Sequence, residues 1–196
     1  DPGAEDSVGK PVFGVEVRIT DADGRALPAG QAGEVCIRGQ NVMAGYLNDA
    51  DATRAALRDG FLRSGDVGVL DGEGRLSIVD RIKDMIIRGG FNVYPAEVEA
   101  VLVEHPSVLD AVVVGSPDDH YGEEVVAVVV VREGAPLQPK ELSSFCRARL
   151  SSTKLPRLLG RLPHLPVGAS GKVQRRLVRD AVLAGEITLV PLTKPT

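Results

Sequence analysis

Three short runs in this chain combine residue types that suit the handling of a nucleotide. Ser64-Gly65-Asp66 sets a carboxylate behind a glycine and ahead of the apolar stretch that starts at Val67. Glycine lets a ligand come close to backbone, and a carboxylate projecting from a strand end can accept both hydroxyl hydrogens of a ribose. Arg81 follows one hairpin later, where its planar fork would add fixed positive charge beside the same sugar and its phosphate. Gly89-Gly90 marks either a hairpin that needs positive backbone angles or a place where a ligand meets main chain. Far downstream, Ser170-Gly171-Lys172 offers backbone N–H groups and an ammonium to negative charge.

Singly, each run has a plainer reading. A lone S-G-D is a turn aspartate bonding its own backbone, a lone Arg81 is a surface ion-pair partner, and the glycine pair is as readily pure turn geometry. Ser170-Gly171-Lys172 alone is an exposed loop, and it is not a Walker A loop, which needs glycine where Pro166 stands and Ser or Thr where Val173 stands. Asp21-Ala22-Asp23-Gly24 has its glycine and its acidic partner misplaced for calcium, and Asp118, Asp119 and His120 read as a solvated loop. His105 and His164 lack a nearby nucleophile or carboxylate arrangement, so the sequence predicts no metal site and no histidine chemistry.

The elements that must position these residues fall into two patterns. Val15, Val17 and Ile19 alternate as a half-buried strand, Val35 and Ile37 continue the alternation, and Asp71-Gly72-Glu73-Gly74 is a hairpin turn between Val67–Leu70 and Leu76–Val79. A short helix is expected over 51–59, capped by Asp51 and stopped by Gly60. Residues 8–80 therefore read as one antiparallel sheet or partial barrel. After Lys83, helices and strands alternate: a helix opening at Pro95, apolar runs Val108–Gly115 and Val125–Val131, a helix near Pro139, another from Arg175 to Ala184, and a loose tail from Ile187.

Composition narrows the function classes. With 43% hydrophobic and 26% charged residues and a net charge of -4, the chain has the makings of a packed core and no electrostatic footprint for nucleic acid. Its longest apolar run, Val125 to Val131, is well short of the roughly 20 residues of a membrane-spanning helix. No basic, hydrophobic leader opens the sequence, and Cys36 and Cys146 lie far apart without metal spacing, as expected of core residues in a reduced, cytoplasmic protein.

Read in order, the motifs resemble the adenylate-forming superfamily from Val8 to about Asp180. The run is V-G-K-P-V-F-G-V-E-V-R-I, G-E-V-C-I-R-G, G-Y-L-N-D, F-L-R-S-G-D-V-G, D-R-I-K-D-M-I-I-R-G-G-F-N-V-Y-P-A-E-V-E and S-G-K-V-Q-R-R. The segment R-I-K-D-M-I-I-R-G-G-F-N-V-Y-P is closer to acyl-CoA synthetases than to peptide-synthetase adenylation domains.

The resemblance implies an α+β fold: an antiparallel β-barrel-like subdomain over 1–80, a hinge over 81–84, a small mobile lid over 85–190 with a short sheet and about three helices, and a loose tail over 191–196. It implies that Asp66 binds the ribose hydroxyls of ATP with Arg81 beside it, that Lys83 is the hinge, and that Lys172 reaches the α-phosphate as a carboxylate attacks. Gly89 and Gly90 would then face the site while coenzyme A forms the thioester. Implied cofactors are ATP, Mg2+ and coenzyme A. The implied partners are a carboxylic acid and an amino-terminal adenylating domain holding the phosphate loop, the magnesium ligands and the acyl pocket, expected ahead of Asp1, so that the chain alone is expected to be inactive. Two alternatives stay open: a non-enzymatic binding module derived from this family, and a fatty acyl-AMP ligase or luciferase-like enzyme.

Overall fold

The alternating apolar residues Val15, Val17 and Ile19 belong to strand β1 (Val15–Thr20) of the computed structural model, which describes residues 7–192. Residues 1–6 and 193–196, with the start of the expected first domain and most of the expected 191–196 tail, lie outside the described residues. β1 pairs antiparallel with β2 (Gly33–Gly39), Val15 opposite Gly39 and Thr20 opposite Glu34. Helix α1 (Ala50–Ala56), strand β3 (Leu57–Arg58), strand β4 (Phe61–Leu70) and strand β5 (Leu76–Arg81) follow. The sheet runs β1-β2-β4-β3, with β5 also on β4, and every pairing in it is antiparallel.

Two details of this sheet differ from the sequence expectation. The cap of α1 is Asp49, whose side chain accepts from Ala52 N at 2.8 Å, and the helix stops at Ala56 rather than Asp59. The cause is local: Asp59 and Gly60 take φ of 52° and 77°, forming the two-residue turn that lets Leu57–Arg58 pair back onto β4. The Asp71 turn is as expected, with Asp71 Oδ1 accepting from Glu73 N at 2.9 Å and Arg75 N at 2.8 Å.

After β5 a 3₁₀ turn covers Ile82–Asp84, and the chain divides into two compact units between Lys83 and Asp84. The second unit contains β6 (Ile86–Arg88), β7 (Phe91–Val93), α2 (Pro95–Val103), β8 (Val108–Asp118), β9 (Gly122–Val131), α3 (Pro139–Arg147), β10 (Leu158–Arg161), α4 (Arg175–Leu183) and β11 (Val190–Pro191). Its sheet runs β11-β10-β9-β6-β7, with β8 also on β9, and β10 is parallel to β9. Pro95 and Pro139 open their helices, where the missing N–H costs nothing.

The central stretches 111–115 of β8 and 125–130 of β9 are apolar without alternation because they are buried on both faces. One face, with Val113, Val125, Ala127 and Val129, packs against Val98 and Leu102 of α2 and Leu142 and Cys146 of α3. The other, with Val112, Val114, Val126 and Val128, packs against Leu165 and against Val178 and Val182 of α4.

The expected loose tail is a correction. Ile187 and Leu192 are buried, and Val190–Pro191 pairs with β10, because the exposed edge of β10 and the apolar face beneath it offer a place for both.

Candidate functional site

Asp66 and Arg81 stand directly opposite each other on β4 and β5, and Arg81 Nε lies 3.2 Å from Asp66 Oδ1. The sequence placed Asp66 ahead of a strand; instead Ser64-Gly65-Asp66 lies inside β4, where the pairing with β2 slips between Cys36, opposite Arg63, and Glu34, opposite Val67. Gly65 takes φ 75° and the Ser64 hydroxyl accepts from Asp66 N at 3.0 Å, so the bulge is held by the serine rather than by the aspartate. A second irregularity follows in the β4–β5 pairing between Val67 and Gly68. Asp66 thus lies within the first irregularity and just ahead of the second, and its carboxylate stays partly open to solvent beside the more exposed Arg81. Lys83 is exposed on the 3₁₀ turn that ends this unit.

In the second unit, Gly89-Gly90 forms the two-residue turn between β6 and β7, with φ of 57° and 82°. Both positive angles identify a turn that glycine serves best. A Cβ on Gly89 would meet Tyr121 at 3.2 Å, whereas one on Gly90 would meet nothing within 4 Å, so Gly90 is the open side of the tip. The hairpin is anchored firmly: Gly89 N donates to Tyr121 O at 2.8 Å, and Arg88 is buried beneath it. Arg88 donates to Thr153 O at 3.0 Å and to Glu124 Oε2 at 3.2 Å, and its guanidinium lies 4.7 Å from the centre of the Tyr121 ring. Its Nε sits 2.6 Å from Glu124 Oε1 at an angle that makes no hydrogen bond, so the contact there is electrostatic.

Lys172 is exposed at the tip of a different hairpin. Val167 and Val173 bridge antiparallel, Gly168 N donates to Lys172 O and Gly171 N to Gly168 O, both at 2.9 Å, and Gln174 N donates to Pro166 O at 2.8 Å. This stem continues directly into α4.

The structure thus brings Asp66 and Arg81 together and puts Gly89-Gly90 and Lys172 on separate hairpins of the second unit. Other acidic and histidine residues take structural parts. Asp118 Oδ1 accepts from Tyr121 N and His120 N, which together hold its carboxyl below the ordinary value. His105 is buried and accepts from Ser107 N through Nδ1. Among the described residues no group of three or more His, Cys, Asp or Glu is placed to hold a metal ion, so no step is assigned through magnesium here. Nor is any helix among them long and apolar enough to cross a membrane.

Sequence reasoning missed three charged residues of this unit: Arg88, Arg175 and Arg179. The last two had a readable signal, since Arg175, Val178, Arg179 and Val182 share one helical face. Arginine on an apolar face is either paired or costly.

Comparison with known proteins decides the family. The model of the AMP-binding enzyme family matches residues 1–47, and that of the AMP-binding enzyme C-terminal domain matches residues 97–172. The chain belongs to the AMP-binding enzyme family. A probable CoA ligase of Humulus lupulus is 46% identical over 178 residues, covering 91% of this chain and 34% of its own length. The o-succinylbenzoate CoA synthetase of Bacillus subtilis, solved with its acyl-adenylate intermediate, superposes with a TM-score of 0.84 at 40% identity, over 92% of this chain and 37% of that one. The amide bond synthetase of Marinactinospora thermotolerans gives a TM-score of 0.85 at 41% identity, over 93% and 37%. The chain therefore spans about a third of the length of these AMP-binding enzymes.

Proposed function

We propose that this chain serves as the carboxy-terminal part of an ATP-dependent acyl-CoA synthetase. An amino-terminal adenylating region would hold the phosphate loop, the magnesium and the carboxylic acid. In the first half-reaction the substrate carboxylate attacks the α-phosphorus of ATP, the bond to pyrophosphate breaks, and acyl-AMP forms. Asp66 accepts the ribose hydroxyls with Arg81 beside it, and the Lys172 ammonium offsets charge that develops on the α-phosphate oxygens. In the second, the coenzyme A thiol attacks the acyl carbonyl and AMP leaves, with the bare backbone at Gly89-Gly90 lining the approach.

The observation that carries this reading is the pair of hairpin tips on one unit that begins immediately after Lys83. One tip presents an ammonium and the other presents unencumbered main chain, which suits two half-reactions served in turn by one body that swivels at Lys83. The buried free thiols Cys36 and Cys146 support a reducing, cytoplasmic setting.

Reconstitution tests the proposal: the chain is mixed with a separate polypeptide carrying the phosphate loop, and acid-dependent ATP–pyrophosphate exchange is measured. Exchange that requires both polypeptides supports the reading, and none above background at saturating concentrations contradicts it in favour of a binding module. The similarity to an amide bond synthetase favours a second reading in which an amine replaces coenzyme A as acyl acceptor. Supplying each acceptor in turn and identifying the thioester or amide distinguishes the two.

A further inference from the structure

Arg175 opens α4, just beyond the stem of the lysine hairpin, and its guanidinium ties three segments of the second unit together. It forms a close ion pair with Glu99 of α2, Nη2 donating to Oε2 at 3.1 Å and Nη1 to Oε1, and Nη1 also donates to Val113 O at 2.7 Å. Glu99 Oε1 accepts from Val113 N at 2.7 Å, so the arginine and the glutamate together occupy both polar backbone groups of one residue of β8. The third segment is the start of the unit: Asp84 Oδ2 lies 3.8 Å from Arg175 Nε, close enough to attract but too far to hydrogen-bond.

Asp84 directly follows Lys83 and ends the 3₁₀ turn. We infer that Arg175 is a positioning residue for Lys172, clamping the stem of the lysine hairpin to β8 and α2 and coupling it to the linker through Asp84. This rests on the proposed roles of Lys172 and Lys83. A rigid stem matters because Lys172 itself is exposed, and small displacements of a catalytic charge cost heavily in rate. The loose ion pair with Asp84 is the element that a change of linker conformation would make or break, while the tight pair with Glu99 stays.

One turn further along α4, Arg179 makes a clamp of the same type but away from the lysine. It donates to Gly115 O at 3.2 Å and to Glu123 at 3.3 Å. Arg179→Gln therefore reports what loss of such an anchor does to the unit in general.

The test uses Arg175→Lys, Asp84→Asn, Arg179→Gln and Lys172→Ala in the polypeptide that joins this chain to an adenylating region. It measures pyrophosphate exchange, thioester formation from supplied acyl-adenylate, and melting temperature. Arg175→Lys, which keeps the charge and loses the fork, should lower exchange about tenfold to a hundredfold through kcat, the scale of a small misplacement. Thioester formation should stay within about twofold, and the melting temperature should match that of Arg179→Gln. Asp84→Asn should lower exchange in the wild type and add little in Arg175→Lys, since both act through one contact. In the 196-residue chain, hydrogen exchange at Gly168, Gly171 and Gln174 should quicken in Arg175→Lys and not in Arg179→Gln.

Equal loss of both half-reactions, or an effect of Arg175→Lys no larger than that of Arg179→Gln, overturns the inference. If Lys172→Ala leaves exchange intact, the parent reading fails and the inference with it. If Lys172→Ala abolishes exchange while Arg175→Lys preserves it, the inference alone fails.

Discussion

Asp66 and Arg81 are cross-strand partners, paired residue to residue on β4 and β5 with 3.2 Å between carboxylate and guanidinium. The pair is open to solvent, Arg81 at 61% and Asp66 at 29% side-chain exposure, so its contribution to folding is small. A close, solvent-open pair with little folding value is free to serve a ligand. Asp66→Ala in the joined polypeptide should raise KM for ATP about tenfold, while the urea midpoint shifts by less than about 1 kcal/mol equivalent. Steady-state kinetics beside urea melts check this, and a large stability loss with unchanged KM would make the pair structural.

The two glycines of the β6–β7 turn should behave differently. At Gly90 a side chain meets open space but an unfavourable φ of 82°, so Gly90→Val costs about 1 to 2 kcal/mol of backbone strain without a clash. Gly89→Ala carries similar backbone strain and also presses on Tyr121 at 3.2 Å. Chemical denaturation should rank Gly89→Ala below Gly90→Ala in stability. Kinetically, Gly90→Val should slow thioester formation from supplied acyl-adenylate and leave pyrophosphate exchange near wild type.

Arg88 and Glu124 form a buried ion pair with side chains only 6% and 10% exposed. Arg88→Met alone leaves the buried Glu124 carboxylate with the looser Arg157, 3.8 Å away, and the Val125 N–H, and should cost about 3 kcal/mol, the low end for a broken buried pair, whereas Arg88→Met combined with Glu124→Leu should recover much of it. Urea unfolding of the two variants checks the asymmetry; equal stability of both would contradict it.

Cys146 gives a prediction on the alkaline side. Burial pushes its thiol from the ordinary 9.0 up to about 11, so the folded state binds the proton more tightly than the unfolded one. The stability this provides is fully present below pH 9.0 and is lost as pH rises toward about 11. Urea midpoints of the wild type should therefore fall more steeply over that window than those of Cys146→Ala, and a thiol reagent at pH 8 should leave Cys146 unmodified until the unit unfolds.

Much of the fold was legible because local signals and burial agree. The alternation at Val15, Val17 and Ile19 gave β1, Asp71-Gly72 gave its turn, and prolines at 95 and 139 gave two helix starts. The misses have physical causes. Asp49 rather than Asp51 has its side chain on Ala52 N and so caps α1, the helix ends early because the Asp59-Gly60 turn puts Leu57–Arg58 into a strand, and the tail was ordered by tertiary contacts of Ile187 and Leu192 that no local pattern announces. At the candidate site, Asp66 and Arg81 could be placed one hairpin apart, but their register depends on two bulges that add unpaired residues. The Arg175 clamp stayed hidden because its partners, Glu99 and Val113, are far away in sequence.

In the proposed two-pose reaction Lys172 acts in only one of two half-reactions. Both are measured with Lys172→Ala in the joined polypeptide: pyrophosphate exchange with acid and ATP, and thioester formation with acyl-adenylate and coenzyme A. Exchange should fall by at least about a hundredfold, the scale of removing a charge that faces the transition state, while thioester formation stays within about threefold. Loss of both in equal measure, or retention of exchange, would contradict that role of Lys172.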